Sequence, residues 1–561
     1  MTQTGHIPSR APWPTLLAGL VAVVALAVVV PGAAAATVHQ RTTVSIPMRD
    51  GHSLAADVYL PPASGRWPTV LIQTPYDRLL FVPALTLPSS DPLFSDLDYA
   101  FVVSDWRGYF GSASAAVPGY DRGLDGYDSV EWIAAQPWSD GSVGTWGASA
   151  LGVIQFQTAA KHPPHLRCSV PMVAHLDDSY ALYYPGGVYA RNKNTFVATV
   201  FGLPAVTSHP LEDGFWTLVD ATAIKPSAID VPMLHVSGWY DHETTQSLEY
   251  AREIQSGGGP HARGMQWILV GPWCHSSLGD LQQGELTYPA AVDEPANLSV
   301  LFFDHYLRGA DNGWTDRASY RTFLMNANTW RDTSIWPPAT QPTQLYLSGD
   351  GSLTPTPPPS GGAPRGYTSD PSNPVPTLFG AILIQTNATQ GPGDLRPIEA
   401  RPDVLTYTTP PFASPLHIEG NVIAHLWIEC SSVDTDMAVR LTDVYPDGSS
   451  ELLVDGIRRV SLRSSYSSHQ LLSPATPYEV DVEIPPVGVT LPPGHRLHVL
   501  VASANYDRFD VNMQDGSSLS DQVGAHAVAA SVVILSDAAH PSSVELPVVR
   551  DSAIRRHVPR M

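Results

Sequence analysis

Residues 142–161, Ser-Val-Gly-Thr-Trp-Gly-Ala-Ser-Ala-Leu-Gly-Val-Ile-Gln-Phe-Gln-Thr-Ala-Ala-Lys, decide the fold. Ser142–Trp146 reads as a strand and Ala150–Lys161 as a helix ended by His162-Pro163-Pro164. Gly147-Ala148-Ser149 must then turn sharply between them, with small neighbours letting the helix approach the strand. A serine at such a turn has one ordinary use, capping the helix, and one chemical use, presenting its hydroxyl beside the free N–H groups of a helix start.

The pattern around this unit repeats. Leu54–Leu60, Thr69–Thr74, Tyr99–Ser104 and Leu166–Met172 read as strands, and Asp121–Gln136 as an amphipathic helix stopped at Pro137. The rhythm pauses over residues 177–230, rich in Tyr, Gly and Pro. It resumes with strands at Pro232–Ser237 and Gln266–Gly271, a helix over Thr244–Ile254 and a last helix at Val300–Arg308. An insertion into one α/β unit explains the pause, because the strands on both sides share one pattern. After Pro337 short alternating segments dominate: Gln344–Leu347, Leu416–Trp427, Met437–Val444, Tyr478–Ile484, His495–Ala502 and Ala527–Leu535, the grammar of a sandwich or jelly roll. A Pro/Gly-rich loop, Thr354–Gly366, lies early in this region.

The expected plan is therefore α/β: one α/β domain in two parts, 37–176 and 231–336, with a helical cap inserted at 177–230, then a β jelly-roll domain at 337–561. The length of 561 residues suits about three domains, each with room for a core. The net charge of −22 argues against nucleic acid and anionic membrane as partners. At the N-terminus, Arg10, the apolar run Leu16–Val30 and the small residues Ala33–Ala36 read as a signal peptide over 1–36, implying a secreted or periplasmic chain without a stable membrane anchor. The cysteines Cys168, Cys274 and Cys430 are far apart; export permits a disulfide, but three leave at least one thiol over. No cysteine–histidine spacing suggests zinc. His242-Glu243-Thr244-Thr245-Gln246 starts like a zincin helix, yet Gln246 replaces the second histidine, so neither metal nor cofactor is expected.

Two further strand ends carry chemistry. Asp241 follows Pro232–Ser237 in Gly-Trp-Tyr-Asp, and His275 follows Gln266–Gly271 in Gly-Pro-Trp-Cys-His. Alone, Asp241 could cap a helix and His275 could be a loop histidine. Together with Ser149 they stand at the strand ends where α/β sheets bind ligands, in the chain order Ser…Asp…His of the α/β-hydrolases. A serine needs a base to take its proton and a third group to orient that base. The elbow itself departs from the generic G-x-S-x-G, since Leu151 stands where glycine is usual and Gly152 comes one later.

These segments, with Thr74-Pro-Tyr-Asp-Arg78, Asp105-Trp-Arg-Gly108, Gln136 to Gly152, Phe303-Asp-His-Tyr-Leu-Arg-Gly309, Asp434-Thr-Asp436, Asp443-Val-Tyr-Pro-Asp-Gly448 and Ala502-Ser-Ala-Asn-Tyr506, resemble the cocaine esterase-like (CocE/NonD) hydrolases. The related X-Pro dipeptidyl-peptidases, α-amino acid ester hydrolases and certain cephalosporin acylases share the pattern, which covers about residues 40–540. The resemblance implies a serine hydrolase acting on a small-molecule ester or amide through an acyl-enzyme. It implies Ser149 as nucleophile, His275 as base, Asp241 as its orienting carboxylate, and Tyr76 with the Ala150 N–H as oxyanion hole. The family usually has tyrosine where Ala150 stands, so substrate preference does not carry over.

Asp178 and Glu243 lie near places where amino acid ester hydrolases hold a substrate ammonium; Thr244 replaces a further acid, so the cluster is incomplete and the reading of both as solvated acids is preferred. Asp105 and Arg107 read as structural braces. Ester cleavage is favoured over dipeptide removal, because X-Pro peptidases of the family tend to carry extra N-terminal structure. A different class of reading, a glycan-binding protein using the jelly roll, leaves the serine, aspartate and histidine without a purpose.

Overall fold

A computed structural model describes residues 38–202, 205–385, 388–520 and 526–549. The expected signal peptide, residues 1–36, lies outside them. Eight strands build the sheet that carries the site: β1 (Gln40–Pro47), β2 (Ser53–Leu60), β3 (Trp67–Thr74), β4 (Ala100–Asp105), β5 (Ser139–Ala148), β6 (Leu166–Met172), β7 (Met233–Tyr240) and β8 (Gln266–Cys274). Their spatial order is β1-β2-β4-β3-β5-β6-β7-β8, extended by a hairpin, Tyr320–Leu324 with Thr329–Thr333. The strands from β4 through β3 to β8 pair in parallel, while β1–β2 and β2–β4 are antiparallel.

Both faces of this sheet are covered, which is why its strands read as continuous apolar runs. Val70, Ile72, Phe101 and Val103 face one side and pack with Phe302 and Phe303 of helix Glu294–Arg308. Leu71 and Val102, the alternate residues, face Val130 and Ile133 of helix Arg122–Ala134 and Phe156 of helix Ala150–Ala159. Asp121 caps the first of these helices by accepting from the Gly123 N–H at 2.9 Å. The sequence reading placed β5 and β8 too short, ending them at Trp146 and Gly271; both strands continue to the residues beside Ser149 and His275. The last helix begins at Glu294 rather than Val300, with Pro295 in its first turn.

Between β6 and β7 stand the cap helices Tyr180–Tyr183, Arg191–Phe201 and Gly214–Thr222, around an aromatic cluster of Tyr180, Tyr183, Tyr184 and Trp216. Beyond the hairpin, two antiparallel sheets face each other. One is built on the long strand Leu416–Cys430, paired with Tyr478–Leu491, Ala530–Ile534 and Ser543–Val549. The other runs Leu405–Thr408, Arg496–Ala502, Asp436–Val444, Ser450–Arg459. Ser450–Arg459 and Ser543–Val549 were not singled out from sequence. The former is buried nearly throughout, so it lacks the alternation that marks a half-buried strand. The expectation of a separate core for each domain needs correcting: one apolar cluster runs from Phe302 and Val236 through Trp239, Phe323 and Trp336 into Val422, Leu426 and Val499.

Candidate active site

Ser149 sits at the tip of β5 with φ 58° and ψ −127°, a left-handed conformation costly for a residue with a side chain. The turn is held from both sides. Ser149 N–H donates to Met172 O of β6 at 2.9 Å, and Ser149 O accepts from Gly152 and Val153 at 2.7 and 2.9 Å. Gly147 has φ +145° and a Cβ there would lie 2.5 Å from Leu151 Cβ. A Cβ on Gly152 would lie 2.6 Å from Ala174 Cβ and 2.9 Å from Met172 O. The departure from G-x-S-x-G thus has a physical reason: the helix packs tightly against Met172 and Ala174 at residue 152, one position beyond the usual glycine.

Asp241 and His275 are brought together by strand register. β7 and β8 are parallel neighbours with Gly238 opposite Gly271 and, after a bulge, Tyr240 opposite Cys274, so the next residues of the two strands emerge side by side. His275 Nδ1 donates to Asp241 Oδ1 at 2.7 Å. Both side chains are withdrawn from solvent, at 3% and 0% exposure, so the bond lies in a low-dielectric setting. Burial alone would lower the His275 pKa, but Asp241 overrides it and holds the ring above its ordinary value. His275 Nε2 is buried and has no hydrogen-bond partner. Asp241 does not cap the following helix. Its turn is fixed by Thr244, whose hydroxyl donates to Gly238 O at 2.5 Å and Asp241 O at 2.9 Å.

The Tyr76 phenol oxygen faces the Ser149 side chain and the Ala150 backbone N–H; burial pushes its pKa up to about 12, and these two groups work against that rise. Ala150 is the first residue of helix Ala150–Ala159, so its N–H has no partner within the helix. Asp105 braces this wall: Arg78, two residues after Tyr76, donates from its backbone N–H at 2.8 Å and from Nη1 at 2.6 Å, and Gly111 N–H donates at 2.9 Å. Arg107 turns away and pairs with Asp125 and Asp50 at 2.7 and 2.9 Å.

Glu243 and Asp178 do come near the site, but through a residue the sequence reading missed. His175 stands between them, with Nδ1 donating to Glu243 Oε1 at 3.1 Å and Nε2 lying 3.7 Å from Asp178 Oδ1. His242 lies over His275 with ring centroids 4.6 Å apart and has Nδ1 3.3 Å from Asp241 Oδ1. Burial lowers its pKa, which favours an uncharged ring beside His275. Asp241, His242 and His275 are the group among the described residues whose ligand atoms gather within 4.8 Å, but Asp241 and His275 are already bonded to each other. His242 precedes helix Thr244–Gly257, so it cannot supply the i, i+4 pair of a zincin.

A cavity of about 180 Å³ opens beside this group, lined by His242, Gln246, Lys193 and Asn192 on one side and Asp455, Arg508 and Ile484 of the β-rich part on the other. The jelly roll also braces both strand ends. Tyr240 Oη donates to Leu452 O at 2.9 Å, and Ser276 Oγ donates to Gln390 Oε1 at 2.5 Å. These contacts join residues far apart in sequence, and no local pattern signals them. Cys274, like Cys168 and Cys430, is buried and unpaired, so it packs and makes no disulfide.

Comparison with known proteins agrees with this architecture. Residues 50–214 match the family described as X-Pro dipeptidyl-peptidase (S15 family), and residues 312–545 match the X-Pro dipeptidyl-peptidase C-terminal non-catalytic domain. The cocaine esterase of Rhodococcus sp. (strain MB1 Bresler) is 30% identical over 577 residues, covering 91% of this chain and 98% of that protein. In fold, an aminopeptidase from a marine sediment Thaumarchaeota archaeon superposes with a TM-score of 0.80 at 23% identity, covering 98% of this chain and 99% of the other. An α-amino acid ester hydrolase superposes with a TM-score of 0.79 at 24% identity, covering 93% and 98%.

Proposed function

The chain belongs to the CocE/NonD family of serine hydrolases, and from that premise we propose that it cleaves a carboxylic ester or amide through an acyl-enzyme formed on Ser149. The observation that carries this reading is the pair His275–Asp241 at 2.7 Å with His275 Nε2 buried and unpartnered, on parallel strands whose C-terminal ends share one sheet edge with the Ser149 turn. Such an Nε2 is a base without a proton donor. Once a substrate carbonyl accepts from the Tyr76 hydroxyl, the Ser149 hydroxyl is released to be that donor.

In the first half-reaction Ser149 Oγ bonds to the carbonyl carbon while its proton passes to His275 Nε2. The negative charge on the carbonyl oxygen is met by the Tyr76 hydroxyl and the Ala150 N–H, with the helix start behind them. Collapse breaks the bond to the leaving group, which takes the proton from His275. A water molecule then repeats the sequence on the acyl-enzyme, returning Ser149 and an acid. Asp241 holds Nδ1–H throughout and stabilises the imidazolium without taking the proton.

The leader-like residues 1–36 support export of the mature chain, and among the described residues no helix is long and apolar enough to cross a membrane. A fluorophosphonate probe tests the nucleophile. Wild type is expected to be labelled at Ser149, and Ser149→Ala is expected to lose both labelling and ester turnover by at least about a thousandfold while keeping its circular dichroism. A folded Ser149→Ala protein with wild-type turnover would refute the assignment. A panel of p-nitrophenyl esters set against Gly-Pro and Ala-Pro anilides is expected to show turnover on the esters.

A further inference from the structure

Glu243 and Asp178 share a counter-ion before any substrate arrives. One imidazole, His175, faces both, at 3.1 Å through Nδ1 and 3.7 Å through Nε2. A ring whose two nitrogens each meet a carboxylate sits where a cation belongs. Burial alone would keep His175 neutral, but Glu243 and Asp178 overcome it and raise its pKa; Glu243, despite its own burial, is held well below the usual carboxylate range by His175. A second cation stands behind the first. Lys193 Nζ donates to Leu182 O at 2.6 Å and lies 4.5 Å over the Tyr183 ring, while Tyr183 Oη donates to Asp178 Oδ1 at 2.6 Å. Burial lowers Lys193 to about 8, against the pull of Glu243, Asp178 and Asp241, so it is still mostly charged at neutral pH.

This group adjoins the reacting atoms. Glu243 Oε1 lies 3.5 Å from His242 Nε2, the His242 ring lies 4.6 Å from that of His275, and Lys193 lines the same cavity as His242. The other wall near Ser149 is apolar: Ala150, Ile154 and Trp106, with Tyr109 and Phe201 against them. An ammonium group arriving here would meet acids already neutralised, and a like charge between them.

Resting on the assignment of Ser149 as nucleophile, we infer that His175, backed by Lys193, is a specificity-determining residue: it occupies the cation position between Glu243 and Asp178, so that the site selects uncharged acyl groups against cationic ones of the same shape. The test compares two ethyl esters of equal bulk, of tert-butylacetic acid and of trimethylammonioacetic acid, on the full-length enzyme near neutral pH. The cationic ester is intrinsically the more electrophilic, so a wild-type preference for the neutral one, expected at about tenfold in kcat/KM, reports the site and not the chemistry. His175→Gln, which keeps a polar side chain without the charge, is expected to shift the ratio about tenfold toward the cationic ester, and adding Glu243→Gln is expected to cancel that shift. Lys193→Met gives a second reading of the ratio, in the same direction, should His175→Gln not fold. Equal or faster wild-type turnover of the cationic ester overturns the inference, as does an unchanged ratio in a folded variant. Loss of the Ser149 reading would look different, with neither ester hydrolysed and no labelling by fluorophosphonate.

Discussion

At the scale of single residues, the site separates groups that act from groups that hold. Tyr76 faces the Ser149 side chain and the Ala150 N–H, and with its pKa raised to about 12 the phenol is neutral near pH 7 and able to donate. Tyr76→Phe is therefore expected to lower kcat by about 100- to 1,000-fold with little change in KM, because the lost donor serves a charge that exists only in the transition state. Equal loss in KM would place Tyr76 in ground-state binding instead. The pH profile follows from His275. Asp241 keeps its pKa above the ordinary value of about 6.5 despite burial, and only the neutral ring accepts the Ser149 proton. So kcat/KM is expected to be full at alkaline pH and to fall as pH drops through a value above that of a free histidine. Asp241→Asn is expected to move this limb to lower pH while reducing the rate about 10,000-fold, both read from pH–rate profiles. Ser149, Asp241 and His275 were legible in the sequence as candidates because each directly follows a strand. His175 was not: it lies three residues past β6 with no motif around it, and its role exists only through Glu243 and Asp178.

At the scale of elements, the turn from β5 into helix Ala150–Ala159 shows how close packing shapes a motif. Leu151 can replace the usual glycine because the near approach falls at Gly152, against Ala174 and Met172 O. Gly152→Ala would place a methyl 2.6 Å from Ala174 Cβ in a wall that includes backbone. It is expected to cost roughly 1–3 kcal/mol, seen as a lower urea midpoint, and to slow fluorophosphonate labelling of Ser149. A variant with wild-type stability and labelling would show that the helix can retreat. The sequence located β5 and β8 by their apolar runs but ended them early, because Gly147 and Pro272 interrupt those runs. In the sheet they are strand residues, and the Gly238–Gly271 pairing is what sets Asp241 beside His275.

At the scale of the whole molecule, the hydrolase sheet and the jelly roll share one apolar interior, and the β-rich part reaches the strand ends next to Asp241 and His275 through Tyr240–Leu452 and Ser276–Gln390. Tyr240→Phe leaves Leu452 O without that donor at a buried junction. It is expected to cost about 1–2 kcal/mol in urea unfolding and to lower kcat several-fold while Ser149 still labels, since it loosens the strand that carries Asp241. Unchanged kcat with reduced stability would confine the contact to a structural role. Periodicity and chain order were enough to determine the α/β plan, the inserted cap, the jelly roll and the order Ser149, Asp241, His275, because strand, helix and turn propensities are local. The 2.7 Å pairing of His275 with Asp241, the seat of His175 between two acids and the joined core were decided only by the tertiary structure, because each depends on register and approach between segments whose sequences carry no record of one another.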